Sequence, residues 1–166
     1  NAIETGVIFT AATVGLLASS LAAERLAKRR AQRTLILAGF VITIAGIAVL
    51  LFVVRISPTA WAFAPGLLLI GLGLGAMLTP SVNIVQSSFP ESLQGEISGL
   101  SRSVSNLGSS LGTAIAGTIL VAGITATPER AYGLAMIALA VVGLIGLVAA
   151  GMLPRKLAAV GLTRSG

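Results

Sequence analysis

Five long apolar segments, separated by short polar ones, constrain the fold of this sequence more than any other feature. They cover about residues 5–23, 34–54, 61–86, 96–121 and 130–153. About 20 apolar residues in a helix cross a hydrocarbon core about 30 Å thick, and each segment comes close to that length or exceeds it. Backbone groups in lipid must be satisfied within the segment, which favours helices. The sequence therefore predicts an all-α integral membrane protein with five transmembrane helices in 1–153 and a short tail over 154–166.

The side-chain chemistry of the sequence argues against an enzyme. Histidine, cysteine and aspartate are absent, and 10% of the residues are charged against 55% that are hydrophobic. The serines therefore have no familiar activating partner, because both lysines, Lys28 and Lys156, fall in polar segments. The usual zinc ligand sets are missing as well. We expect no catalytic residue, no metal site and no bound cofactor.

The basic residues predict how the helices are oriented. Segment 24–33 holds five of the eleven Lys and Arg residues. Basic residues near other segment ends or in the tail are Arg55, Arg130, Arg155, Lys156 and Arg164. Because cytoplasmic loops carry the excess of Lys and Arg, segment 24–33 and the C-terminus are predicted to be cytoplasmic, in a multi-pass protein of the cell membrane. Trp61 and Tyr132 then fall at the outer ends, where aromatic anchors are common.

The net charge of +6 also follows from this distribution. Basic residues that flank membrane helices set topology first and contact anionic lipid second. The bilayer is therefore an expected partner, and nucleic acid is not.

The fourth apolar segment carries a polar edge. On a helix, residues three and four positions apart lie on one face. The residues that form this face are Ser98, Arg102, Asn106 and Ser109 or Ser110, and Ser105 belongs to an adjoining stripe of small side chains. A polar edge at membrane depth is stable only against protein or a water-filled cavity. We therefore select Arg102, Ser105 and Asn106, with Asn83 from the third segment, as candidates for a substrate cavity or gate.

Each of these candidates has a plainer interpretation. Arg102 lies near the predicted inner end of its helix, so its side chain could reach the lipid headgroups or cap a neighbouring helix. Asn83 and Asn106 could form hydrogen bonds between helices, which are common in membrane bundles.

Two glycine pairs indicate close helix packing. Gly71 and Gly75 lie in the third segment, and Gly108 and Gly112 lie in the fourth. Small residues four positions apart let transmembrane helices approach closely. The pairs suggest that the third and fourth helices pack against each other.

Three stretches resemble members of the major facilitator superfamily. GLGLGAMLTPSVNIVQSSFPESLQGEISGL and SRSVSNLGSSLGTAIAGTIL are similar to the glycine-rich and penultimate helices of its fourteen-helix drug:proton antiporter branch. SLAAERLAKRR is similar to the cytoplasmic loop Gly-x-Leu-x-Asp-Arg-x-Gly-Arg-Lys/Arg. In that loop motif Arg25, Lys28 and Arg29 match, and Glu24 replaces the aspartate. Ser20, Ala22 and Ala27 depart from the pattern.

The resemblance implies the C-terminal part of a proton-coupled secondary transporter. The chain would supply five helices of a C-terminal six-helix bundle, which rocks against an N-terminal half about a central site. It would export drug-like or amphipathic compounds by alternating access, with the proton gradient as its energy source. The partners implied are the missing N-terminal half, which would hold the proton-carrying carboxylates, and a small-molecule substrate.

Two alternatives stay open from the sequence. One is a five-helix structural or scaffold membrane protein that transports nothing. The other is a carrier of the same superfamily for sugars or organic anions.

Overall fold

The computed structural model describes residues 2–27, 30–56, 59–123 and 128–153. Its α-helices are α1 (Ala2–Ala27), α2 (Gln32–Ile56), α3 (Ala64–Ser87), α4 (Gln94–Gly123) and α5 (Pro128–Gly151). Short 3-10 helices, Ala60–Phe63 and Glu91–Leu93, lead into α3 and α4. All five helices are long and apolar enough to cross a membrane, which confirms the all-α membrane fold. Their bounds differ by a few residues from the segments expected, and the tail 154–166 lies outside the described residues.

Proline helps to set where two of the helices begin. Pro65 lies in the first turn of α3, and Pro128 is the first residue of α5. Proline suits these positions because the first backbone N–H groups of a helix have no partner within it. α3 continues across a third proline, Pro80, whose side chain is fully buried. The helix continues without interruption beyond Pro80 to Ser87.

α3 is the central helix and packs between α1 and α2. Its glycines make this possible. A Cβ built on Gly73 would lie 2.6 Å from the carbonyl oxygen of Gly39 on α2. A Cβ on Gly71 would meet the Ala12 backbone of α1, and one on Gly75 would meet the Ser19 hydroxyl. The Gly71–Gly75 pair therefore faces α1, and not α4 as the sequence had suggested.

The remaining contacts place α4 at an edge of the bundle. α5 packs against α2 and α4, and α3 makes a smaller contact with α4. Between the described parts of α4 and α1 or α2, no comparable contact exists. One side of α4 is thus free of the helices that this chain supplies.

Contacts at the helix ends fix an alternating up-and-down arrangement. At one end, the Phe63 and Tyr132 rings meet edge to face with centroids 6.4 Å apart, which joins the beginnings of α3 and α5. At the other end, Arg33 at the beginning of α2 contacts Gly151 at the end of α5. Trp61 lies beside Phe63 and is 53% exposed. The two aromatic residues chosen as anchors therefore lie at the same end of the bundle.

Candidate functional site

The middle of α4 is exposed on every side. Each residue from 102 to 111 is exposed, whereas Ser101 before this stretch and Gly112 after it are half-buried. α4 has no buried residue anywhere along its length. It contacts its neighbours only towards its two ends. The candidates Arg102, Ser105 and Asn106 all lie in the uncovered stretch.

The length of α4 determines how polar side chains in this stretch can be satisfied. With about 1.5 Å of rise per residue, its 30 residues span about 45 Å, against about 30 Å of hydrocarbon. The helix midpoint falls between Gly108 and Ser109, so Asn106 lies close to it. Because the helix is longer than the core, Asn106 lies within the hydrocarbon wherever the helix crosses it completely. Arg102 lies about 10 Å from the helix midpoint, towards the beginning of α4, from where a long side chain can reach the nearer interface.

Several α4 hydroxyl groups are satisfied by their own helix. Ser103 Oγ donates to the Gly99 carbonyl at 3.0 Å, and Ser110 Oγ donates to the Asn106 carbonyl at 2.9 Å. Such bonds lower the cost of a hydroxyl in lipid. In the described part of the chain, the side chains of Arg102, Ser105 and Asn106 have no bond of this kind. These three therefore most need a polar neighbour or water.

The end of α3 and the beginning of α4 share a polar contact. Gln86 Nε2 donates to Ser98 Oγ at 3.3 Å, and both side chains are half-buried. Asn83 lies one turn before Gln86 on α3 and is also half-buried. No hydrogen bond within the described chain joins Asn83 to Arg102, Ser105 or Asn106. Asn83 and Arg102 thus lie towards the connected ends of α3 and α4, whereas Ser105 and Asn106 lie nearer the middle of α4, and the four form no bonded cluster within the described chain.

Sequence reasoning missed the Gln86–Ser98 pair. Ser98 was assigned to the polar face of α4, but nothing in the sequence told which α3 residue it would meet.

The second glycine pair has no neighbour in this structure. Around a Cβ built on Gly108 or Gly112, the described residues place no heavy atom within 4 Å. The packing role assigned to these two glycines therefore stays a prediction. Gly108 lies in the exposed stretch from 102 to 111, and the half-buried Gly112 directly follows it.

The cytoplasmic loop motif is only partly described. Glu24 and Arg25 are exposed in the last turn of α1, where a cation interacts favourably with the negative end of the helix dipole. Lys28 and Arg29 lie outside the described residues. Among the described residues no group of three His, Cys, Asp or Glu side chains could hold a metal ion.

Comparison with known proteins gives two matches. A family model described as the Major Facilitator Superfamily matches residues 1–164. The puromycin resistance protein pur8 of Streptomyces alboniger is 31% identical over 118 residues, which cover 69% of this chain and 24% of that protein. The match thus spans about a quarter of the curated relative. No solved structure matches.

Proposed function

Because the chain belongs to the Major Facilitator Superfamily, we propose that it forms the C-terminal part of a proton-coupled carrier that exports drug-like or amphipathic compounds. Family membership makes the chain a transporter component rather than an enzyme, and its five apolar helices make it a multi-pass membrane protein. The proton coupling, the exported compounds and alternating access belong to the proposal.

One observation supports the proposal above all: the polar side chains of Arg102, Ser105 and Asn106 are exposed near the middle of α4. Hydrogen bonding within the helix does not satisfy Arg102, Ser105 and Asn106, and Asn106 lies near the helix midpoint. An exposed polar edge in lipid is costly, so it requires protein or a wet passage beside it. A five-helix scaffold complete in itself offers neither, and a carrier with a second half offers both.

The positions of these residues suggest separate roles in transport. Ser105 and Asn106 lie deep enough in α4 to bind substrate or water near the midplane. Arg102 lies closer to the inner end and would act at a gate, bonded to the opposite half in one state and hydrated in the other. Asn83 on α3 would contribute a further amide near that gate. Substrate and protons then shift the population between inward-open and outward-open states.

The name of the relative favours drug-like substrates over sugars or organic anions. It refers to puromycin resistance, and the identity extends over more than two thirds of this chain. The proton gradient supplies the energy, and the carboxylates that carry protons belong to the N-terminal half. The basic segment 24–33 and the C-terminus face the cytoplasm of a cell in whose membrane the carrier resides.

Cysteine accessibility tests whether the polar face of α4 lines a wet passage. This sequence contains no cysteine, so only cysteines in the rest of the carrier need to be replaced before single thiols are introduced. Arg102→Cys, Ser105→Cys and Asn106→Cys in the full-length carrier should react with a small, water-soluble maleimide. Leu107→Cys is the matched control, because it follows Asn106 directly but lies on the apolar face and is equally exposed here. Protection at all three polar positions, with labelling at 107, would refute the proposal.

Transport itself is tested in everted membrane vesicles that contain the full-length carrier. Uptake of a fluorescent cationic dye should follow an imposed proton gradient and stop when an uncoupler collapses it. Dye accumulation that ignores the uncoupler would contradict proton coupling. Gradient-driven uptake of a sugar or an organic anion in place of the dye would favour the other class of carrier.

A further inference from the structure

Arg33 reaches from the first turn of α2 to the end of α5. Its Nη2 donates to the backbone carbonyl oxygen of Gly151 at 2.5 Å, although the two residues are 118 positions apart in the sequence. The Nε atom of the same guanidinium is buried and has no hydrogen-bond partner among the described residues. The base of the guanidinium is therefore enclosed between the helices. Segment 24–33 had been interpreted as a topology signal and a lipid contact, neither of which requires this geometry.

Helix electrostatics explain why the contact forms. The last carbonyl groups of a helix lack partners within it and carry a partial negative charge. α5 has no basic residue in its own last turn. The first turn of α2 has no acidic residue, so its positive end offers nothing to hold a cation. Arg33 thus turns away from its own helix and places a cation at the last turn of α5, which in the described chain has no basic residue of its own.

The rest of the seam between α2 and α5 relies on glycine. A Cβ built on Gly146 would lie 2.7 Å from Phe40 Cζ, and one on Gly143 would lie 3.3 Å from Ile44 Cγ1. These glycines let the Phe40 and Ile44 side chains of α2 rest directly on α5, so the middle of the seam is packed by apolar contacts. A charge-assisted hydrogen bond at one end would fix the register of the whole seam.

We propose that Arg33 is a positioning residue that locks the end of α5 to the beginning of α2. This contact keeps the last turn of α5 packed against the beginning of α2, so that the two helices move as one body. Its effect on transport rests on the function proposed above, whereas the lock itself does not. Arg30, three residues earlier, is exposed and provides the comparison, because its side chain makes no such contact within the described chain.

The test measures how well the last turn of α5 is protected from a thiol reagent. Ala150 is 5% exposed and lies next to Gly151, so Ala150→Cys introduces a buried thiol into the full-length carrier. Arg33→Met keeps an apolar stem in the seam but removes the charge and the donors. Arg30→Met is the matched control, since it removes the same charge from the same polar segment. The rate of reaction with a water-soluble maleimide, added to permeabilised membranes so that it reaches both faces, is the readout.

We expect Arg33→Met to raise this rate about tenfold, as for the loss of one charge-assisted hydrogen bond at a helix end. Arg30→Met should leave it unchanged. Equal rates in the two variants, whether both low or both high, would overturn the proposal. If Arg33→Met does not reach the membrane, Arg33→Gln with Arg30→Gln decides by the same comparison. Because labelling needs no substrate, the result stands apart from any failure of the transport assay.

Discussion

Gln86 of α3 and Ser98 of α4 form a hydrogen bond between two helices, with Nε2 and Oγ 3.3 Å apart. The bond lies where α4 leaves the bundle, just before the stretch from 102 to 111 that has no neighbour in this chain. It therefore fixes the position from which the polar face of α4 projects. Any helix that covers this face must approach α4 beyond that point.

Removing the Gln86–Ser98 hydrogen bond should lower the free energy of unfolding slightly, because it frees the beginning of α4 from α3. Ser98→Ala and Gln86→Leu should each lower stability, and their coupling energy should be about 0.6 kcal/mol, typical for polar pairs in membrane bundles. Thermal unfolding of the full-length carrier in detergent, measured for both single variants and the double variant, checks this value. Strictly additive effects of the two substitutions would mean that the pair does not interact.

Adding a methyl group to the centre of α3 should be far more damaging. Gly73→Ala would place a Cβ 2.6 Å from the Gly39 carbonyl oxygen, so α2 and α3 must separate. We expect a loss of about 1–3 kcal/mol, as for overpacking in other protein cores. Gly133→Ala on α5 is the control, since no heavy atom lies within 4 Å of its built Cβ. Unfolding midpoints of the two variants should therefore differ clearly, and similar midpoints would argue against the α2–α3 contact.

Arg102→Ala should lower export without lowering the amount of carrier in the membrane. The side chain has no partner in the described chain, so its removal takes nothing from the packing of these five helices. Export of a dye and membrane abundance on a blot should be measured together. Parallel losses of both would give Arg102 a structural role. Arg55→Ala, an exposed arginine in the last turn of α2, controls for the loss of one positive charge.

A large side chain at Gly108 tests whether another helix covers α4. Here Gly108→Leu would meet no heavy atom within 4 Å of its Cβ. If the remaining part of the carrier packs on this glycine pair, the full-length variant should lose abundance or transport through overpacking. Leu111→Phe enlarges a side chain on the apolar face of the same helix and should be tolerated. Full activity of Gly108→Leu would show that nothing packs closely at Gly108.

The sequence predicts the helices well because hydropathy and length alone determine a transmembrane span. It does not predict which helices are neighbours. Gly71 and Gly75 mark a close contact, but their spacing is equally compatible with α1 or α4 as the partner. The Arg33–Gly151 bond was invisible for a similar reason, since it depends on two helix ends that meet only in the folded bundle. The exposed middle of α4 also could not be foreseen, because a periodic pattern says what a face contains and not what covers it.

Few residues of the described chain pack against α4, and this affects how the helix enters the membrane during synthesis. Of the candidate spans in the described chain, α4 is the least apolar, and it carries Arg102 in its first half. The insertion machinery sorts segments by hydrophobicity, and a charged residue near the centre of a span costs about 3 kcal/mol. We therefore expect α4 to leave the translocon late, held there until helices made earlier offer it a polar surface. Its integration efficiency should depend on what is synthesised before it.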